Sequence, residues 1–205
     1  MSPLKHTQVD GWDDARFPTV QGIIRRGMKR EQVMEVATKA LEPAGIIILV
    51  TGAGGFVGDA LCRRLFASGC RVRGIFRDQP SPRDWMETRV TGDLTQLSDF
   101  KDVVQRADAV IHLAARVHMM RDTAADPASA FRQANADVTK RLAQAAADAG
   151  AGRFVFLSSV KVNGEETAAT PFSEKDMPAP GDAYGRSKQD AEDALQKIAA
   201  TTKMA

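Results

Sequence analysis

Ile46-Ile47-Ile48-Leu49-Val50-Thr51-Gly52-Ala53-Gly54-Gly55-Phe56-Val57-Gly58 is an apolar run that ends in glycines and then resumes helical spacing. It predicts a strand, a tight turn and a helix. The β-favouring aliphatics that lead to Val50 suit a strand buried on both faces, as in a parallel sheet with helices above and below. The glycines have separate physical roles. Gly52 turns the chain sharply, Gly55 admits a phosphate close to the backbone, and Gly58 lets the helix pack tightly on the strand. Free N–H groups at the helix start, at the positive end of its dipole, then form a pyrophosphate seat. An ordinary strand-to-helix loop can carry similar glycines, so the rest of the chain has to decide. The three-then-three interval of Gly52, Gly55 and Gly58 differs from the common G-x-G-x-x-G fingerprint and points to a narrower group.

A chain of 205 residues holds one domain of ordinary size with a small appendage. Hydrophobic content of 43%, charged content of 26% and a net charge of +2 describe a globular protein with no strong field for nucleic acid or membrane. No apolar run approaches membrane-spanning length and the amino terminus lacks a signal-peptide pattern, so the expected location is the cytoplasm. Cys62 and Cys70 are too few for a disulfide framework and are expected to be reduced. His6, His112 and His118 lack metal-ligand spacing, so no metal site is expected, and His112 is read as a core strand residue.

Residues 1–44 differ in character from the remainder of the chain and read as a leader of separate origin, with a basic knot at Arg25 to Arg30 and a short helix over Glu31 to Leu41. From Gly45 a strand and helix alternation sets in. The expected elements after the first strand are a helix over Phe56 to Ser68, a strand over Arg71 to Phe76, and a strand over Arg89 to Leu94. A helix over Ser98 to Arg106, a strand over Ala109 to Leu113 and one long helix over Ala128 to Ala149 come next. Arg153 to Leu157 is the fifth strand, and Tyr184 begins the last helix. The pattern predicts an α/β Rossmann-type doubly wound parallel sheet over 45–205, incomplete at its C-terminal end. The uncovered sheet edge then leads one to expect exposed apolar surface or a homo-oligomer.

Tyr184-Gly185-Arg186-Ser187-Lys188 places a phenol and an ammonium four residues apart, on one face of a helix. A lysine beside a phenol favours its ionised form, which makes a base able to take or return an alcohol proton. Ser159, after the fifth strand, is placed to hydrogen-bond the same oxygen. The Tyr-x-x-x-Lys pair alone is commonplace; joined to the glycine turn and a strand-terminal serine in this order, it is specific.

The chain from Gly45 to about Ala200 thereby resembles the extended short-chain dehydrogenase/reductase family, in its nucleotide-sugar epimerase, dehydratase and reductase branch. The resemblance rests on Thr51 to Gly58, Gly92-Asp93-Leu94, His112-Leu113-Ala114-Ala115, Asn135, Phe156-Leu157-Ser158-Ser159 and Tyr184 to Lys188. It implies a bound NAD or NADP held by Gly52, Gly55, Phe56, Val57, Gly58, Arg77, Asp93, Leu94, Leu113, Ala114, Ala115, Asn135 and Lys188. It also implies Ser159, Tyr184 and Lys188 as catalytic residues acting on a UDP-sugar. The wording of His112 to Asp126 and Val160 to Glu165 is most similar to UDP-glucose 4-epimerases and to 4-keto-reductases making cell-surface sugars. Ser159 is preferred to Ser158 because it keeps the family's separation from the tyrosine. At the end of the second strand, Phe76 stands where NAD enzymes place an acidic residue; Arg77 comes directly after it and can pair with a 2′-phosphate, while Asp78, one residue on, can reach a ribose hydroxyl, so NADP is expected to be accepted at least as well as NAD.

The same resemblance implies a sixth strand and a sugar-gripping domain that this sequence lacks, so a truncated copy of reduced activity is expected. A non-catalytic dinucleotide-binding module is the rival reading. Residues 9–41 separately resemble a fragment of glutamyl- and glutaminyl-tRNA synthetases, without their ATP-binding motifs. An RNA-binding role for the leader rests on Arg25 to Arg30 alone and is not favoured.

Overall fold

The structure, a computed structural model, describes residues 45–117, 125–167, 170–173 and 175–205. The expectations for the leader, for His118 and for part of the His112 to Asp126 wording lie outside the described residues.

Ile47–Thr51 forms β1, buried along its whole length, as the two-faced apolar run requires. Phe56–Ala67 forms α1, Arg71–Phe76 β2, Glu87–Val90 β3, Lys101–Val104 α2 and Ala109–His112 β4. A continuous helical segment comes next as Pro127–Phe131 (α3), a π-helical stretch Arg132–Asp137, and Val138–Asp148 (α4). Arg153–Phe156 is β5 and Ala183–Thr201 is α5. The strands are parallel in the order β3-β2-β1-β4-β5. This is the expected doubly wound sheet, and the strand order reverses between β1 and β4.

Two apolar clusters cover the sheet. Leu49, Val110, Phe100, Val104, Leu142 and Ala146 lie in one, and Val50, Val72, Phe76, Cys62 and Met86 in the other. Leu49 enters one cluster and its neighbours Ile48 and Val50 the other, so each of these side chains stabilises one layer by about 1.5–3 kcal/mol. Cys62 is buried and its thiol is pushed up to about 11 by desolvation, which matches a structural, unreactive cysteine.

Three elements depart from the sequence reading. β3 ends at Val90, not Leu94, because Gly92 takes a left-handed φ of 71° and Asp93 caps a 3-10 turn over Leu94–Gln96. The helix expected over Ser98 to Arg106 shrinks to one turn, started where Asp99 accepts from Lys101 N (3.1 Å) and closed before Arg106, which has φ of 60°. The long alanine-rich helix carries a π-helical middle that periodicity did not reveal.

At the outer edge of β5, Phe154 N donates to Ala205 O (2.8 Å) and Ala205 N donates to Gly152 O (3.1 Å). The last residue thus pairs with the edge strand. Val155, Leu157 and Val160 beside it remain exposed, in line with the expected apolar surface. Among the described residues no helix is long and apolar enough to cross a membrane.

Candidate dinucleotide and acid-base site

Because all five strands are parallel, their carboxyl ends share one edge, and the residues following each strand are gathered there. Gly52 follows β1, Arg77 follows β2, Asp93 lies beyond β3, Leu113 to Ala115 follow β4, and Ser159 lies beyond β5. At the switch point the β1 turn touches the segment after β4: a Cβ on Gly52 would lie 2.8 Å from Ala114 N. Gly52 also has φ of 70°, so its position demands glycine twice over.

The helix start fits a pyrophosphate. α1 is capped by Gly55 with no side-chain hydrogen bond, while Gly54, Gly55, Phe56 and Val57 are exposed. Its first-turn N–H groups are therefore presented outward on a twelve-residue helix, the arrangement that binds phosphate. The approach is close because a Cβ on Gly58 would lie only 2.1 Å from Gly52 O. Leu113 is half-buried against the second cluster, and Ala114 and Ala115 leave room beside the turn. Leu94 packs against the first cluster.

Beyond β2 this edge carries arginines set against carboxylates. Phe76 is buried, Arg77 is exposed, and the charge of Arg77 reaches Asp93. The Asp93 carboxyl is held below its usual range mainly by the Thr95 N–H and hydroxyl, with Arg77 adding to the effect. A second arginine escaped the sequence reading: Arg83 lies over the Phe76 ring at 5.5 Å and pairs with Asp59 in the first turn of α1. No spacing rule links a loop arginine to a strand end six or more residues away; only the chain's return path does.

Tyr184 and Lys188 share a face of α5, whose start is fixed by Asp182 accepting from Gly185 N (2.6 Å). The Tyr184 ring meets Phe131 edge-on, with centroids 6.0 Å apart. Lys188 is 2% exposed; its Nζ donates to Leu157 O (2.6 Å) and sits 3.9 Å from the centre of the Phe156 ring. Burial lowers its pKa to about 8, with the Glu192 carboxylate acting in the opposite direction. The two serines divide. Ser158 Oγ donates to Glu192, whereas Ser159 caps the 3-10 turn Val160–Val162 and its Oγ accepts from Lys161 N (3.3 Å).

Asn135 lies in the π-helical stretch and is 1% exposed. Its Oδ1 accepts from Arg116 N (2.8 Å), while Nδ2 donates to Arg116 O (3.0 Å) and Ser187 Oγ (2.9 Å). Thr139 Oγ1 donates to Asn135 O (2.5 Å), and Ser187 Oγ donates to Tyr184 O (2.7 Å). Asn135 therefore ties the segment after β4 to the Tyr184 helix, through protein partners on both of its polar side-chain atoms. Single-turn π widening commonly marks such a junction.

His112 is buried, as expected. Its Nδ1 shares a 2.6 Å hydrogen bond with Thr51 Oγ1, which also accepts from Ala114 N (3.2 Å), while Nε2 has no partner among the described residues. Burial, with the Lys188 charge adding, pushes its pKa down to about 3, so it is neutral. A folded-state pKa below the unfolded 6.5 means its contribution is complete above 6.5 and lost as pH falls toward 3, at about 1.4 kcal/mol per pH unit. Between pH 6.5 and 4.5, acidification should thus cost the chain about 2–3 kcal/mol more unfolding free energy than it costs His112→Gln, as read by denaturant unfolding. Equal slopes in the two proteins would refute this. Among the described residues no group of three or more metal-type side chains comes together.

Fold and edge together define a Rossmann-type α/β protein that carries a Tyr-x-x-x-Lys pair on one face of its last helix. Residues 48–205 match the family described as NAD dependent epimerase/dehydratase, and the chain belongs to that family. It is 40% identical over 159 residues to a UDP-glucose 4-epimerase of Vibrio cholerae, covering 77% of this chain and 48% of that protein. Among solved structures, MoeE5 in complex with UDP-glucuronic acid and NAD is similar at TM-score 0.66 and 34% identity, over 77% of this chain and 52% of that one. The chain thus spans about half the length of these relatives. A separate 27-residue match, 70% identical to the cytoplasmic glutamate–tRNA ligase of Arabidopsis thaliana, covers 13% of this chain and 4% of that protein. It agrees in family with the resemblance read at residues 9–41.

Proposed function

We propose that this chain takes part in hydride transfer between a nicotinamide dinucleotide and C4 of a UDP-sugar, as a UDP-glucose 4-epimerase or a 4-keto-reductase of cell-surface sugar synthesis. The observation that carries this is the shared face of Tyr184 and Lys188 on α5, with Lys188 anchored to Leu157 O at the carboxyl edge of the sheet. The nicotinamide, when bound, supplies the hydride acceptor or donor. In this reading Tyr184 takes or returns the proton of the C4 oxygen, and Ser159 orients that oxygen. Lys188 supports the phenol and meets the nicotinamide ribose. Gly52, Gly55 and Gly58, with the first-turn N–H groups, hold the pyrophosphate.

The reaction is placed in the cytoplasm, residues 1–44 are a leader of separate origin, and the exposed Val155, Leu157 and Val160 suit self-association. Incubating the full chain with NAD and UDP-glucose and separating the nucleotide sugars by chromatography tests the activity. Formation of UDP-galactose supports the epimerase arm, and turnover of neither UDP-glucose nor a UDP-4-keto sugar refutes the proposal. The same exposed glycine turn would serve a second reading, a dinucleotide-binding module without turnover. Dinucleotide binding unaffected by Tyr184→Phe, with no sugar conversion, would establish that module.

NADP should bind at least as tightly as NAD. Phe76 offers ribose hydroxyls no acceptor, whereas Arg77 and Arg83 place two guanidinium groups near the end of β2. Paired calorimetric titrations check this, and NAD binding tenfold tighter would overturn it.

A further inference from the structure

Lys188 has an unusual set of partners for a buried ammonium. Its hydrogen bond goes to a neutral carbonyl, Leu157 O, and its other neighbour is the face of Phe156. From β4 the facing titratable group is His112, which is buried and neutral and is stacked on that same ring with centroids 5.9 Å apart. From its own helix, Tyr184 stands one turn before it and Glu192 one turn after, on the same face. Glu192 is half-buried and does not hang free: Ser158 Oγ donates to its Oε1. Ser158 sits between Leu157, which holds the ammonium, and Ser159, whose Oγ accepts from Lys161 N. Two consecutive residues after β5 therefore hold the lysine ammonium and the Glu192 carboxylate.

We propose that Glu192 is a positioning residue of this site, clamped by Ser158 so that its carboxylate keeps the Lys188 side chain charged for contact with the dinucleotide ribose. This rests on the reading of Lys188 as the residue that meets that ribose. A carboxylate one helical turn away, in surroundings poorer in water than the surface, favours an ammonium without needing to touch it. Burial lowers the Lys188 pKa and the Glu192 carboxylate raises it, as this geometry requires. The arrangement also explains the division of labour between the serines. Ser158 holds the counter-charge, which leaves Ser159 for the reacting edge.

The test is a pH titration of the Lys188 13Cε resonance in the full chain, assigned by its disappearance in Lys188→Arg, with Glu192→Gln compared directly. Glutamine retains an acceptor for Ser158 and removes the charge. The midpoint should fall by roughly 0.5–1 pH unit in Glu192→Gln, and by less, in the same direction, in Ser158→Ala. NADH affinity should fall about threefold or more at pH 8.5 and stay unchanged at pH 6.5. An unmoved midpoint in a folded Glu192→Gln protein, or an equal loss of affinity at both pH values, overturns the proposal. If Glu192→Gln does not fold, Ser158→Ala decides, and an unmoved midpoint there has the same consequence. The lysine titration needs no sugar, so a chain that converts no UDP-sugar still gives a result, and the two failures are distinguishable.

Discussion

Tyr184→Phe should lower UDP-sugar conversion by about two to four orders of magnitude while leaving dinucleotide binding within a few-fold of the original. The substitution removes one oxygen and nothing else. The ring keeps its edge-on contact with Phe131, α5 keeps its Asp182 cap, and Lys188 keeps its bond to Leu157 O. What is lost is the group proposed to take or return the C4 proton, so on that proposal the barrier rises for that step alone. Single-turnover sugar conversion and NADH fluorescence titration, performed on the same preparation, separate the two effects. Conversion within tenfold of the original would remove Tyr184 from the acid-base role. Loss of binding and conversion together would indicate a structural role instead.

Gly58→Ala should abolish useful dinucleotide binding, by about a hundredfold or more, and destabilise the fold by about 3 kcal/mol. An alanine Cβ there lies 2.1 Å from Gly52 O and 2.9 Å from both Ala53 Cα and Gly52 C. All three are backbone atoms, so no rotamer change relieves the contact. The Gly52 turn cannot retreat easily either, since Ala114 N already lies 2.8 Å from where a Gly52 Cβ would be. α1 must then move away from β1, and its first-turn N–H groups move with it. Gly69→Ala is the control: φ is 83° but nothing lies within 4 Å, so backbone strain of about 1 kcal/mol is expected with binding intact. Urea unfolding and NADH titration of both variants check the contrast, and similar behaviour of the two would contradict it.

Elements that the sequence revealed share a physical trait: their signal is local and repeated. The run before Gly52, the 3.6-residue spacing of α1 and the Tyr184 to Lys188 interval can be read within a dozen residues. β2 was legible to the residue because Gly69-Cys70 and Arg77-Asp78 flank the β-favouring Val72, Ile75 and Phe76 on both sides. β3 and α2 were misjudged at their ends because local side-chain to backbone bonds, in which Asp93 accepts from Thr95 N and Asp99 from Lys101 N, compete with strand and helix patterns. Glu192 was visible as a further four-residue step along the Tyr184 and Lys188 face. Its partner Ser158 was not, because that bond joins residues 34 apart.

By itself the sequence determined the class of fold, the glycine turn after β1 and the four-residue spacing of Tyr184 and Lys188, because each is encoded by residue type at fixed short spacing. Tertiary structure alone decided how those pieces act together. Parallel packing brought Gly52 against Ala114, put Arg83 over Phe76, directed both polar atoms of Asn135 to protein partners, and assigned Ser158 to Glu192. These are contacts between distant segments, and their partners are chosen by strand order and register, which no local pattern carries.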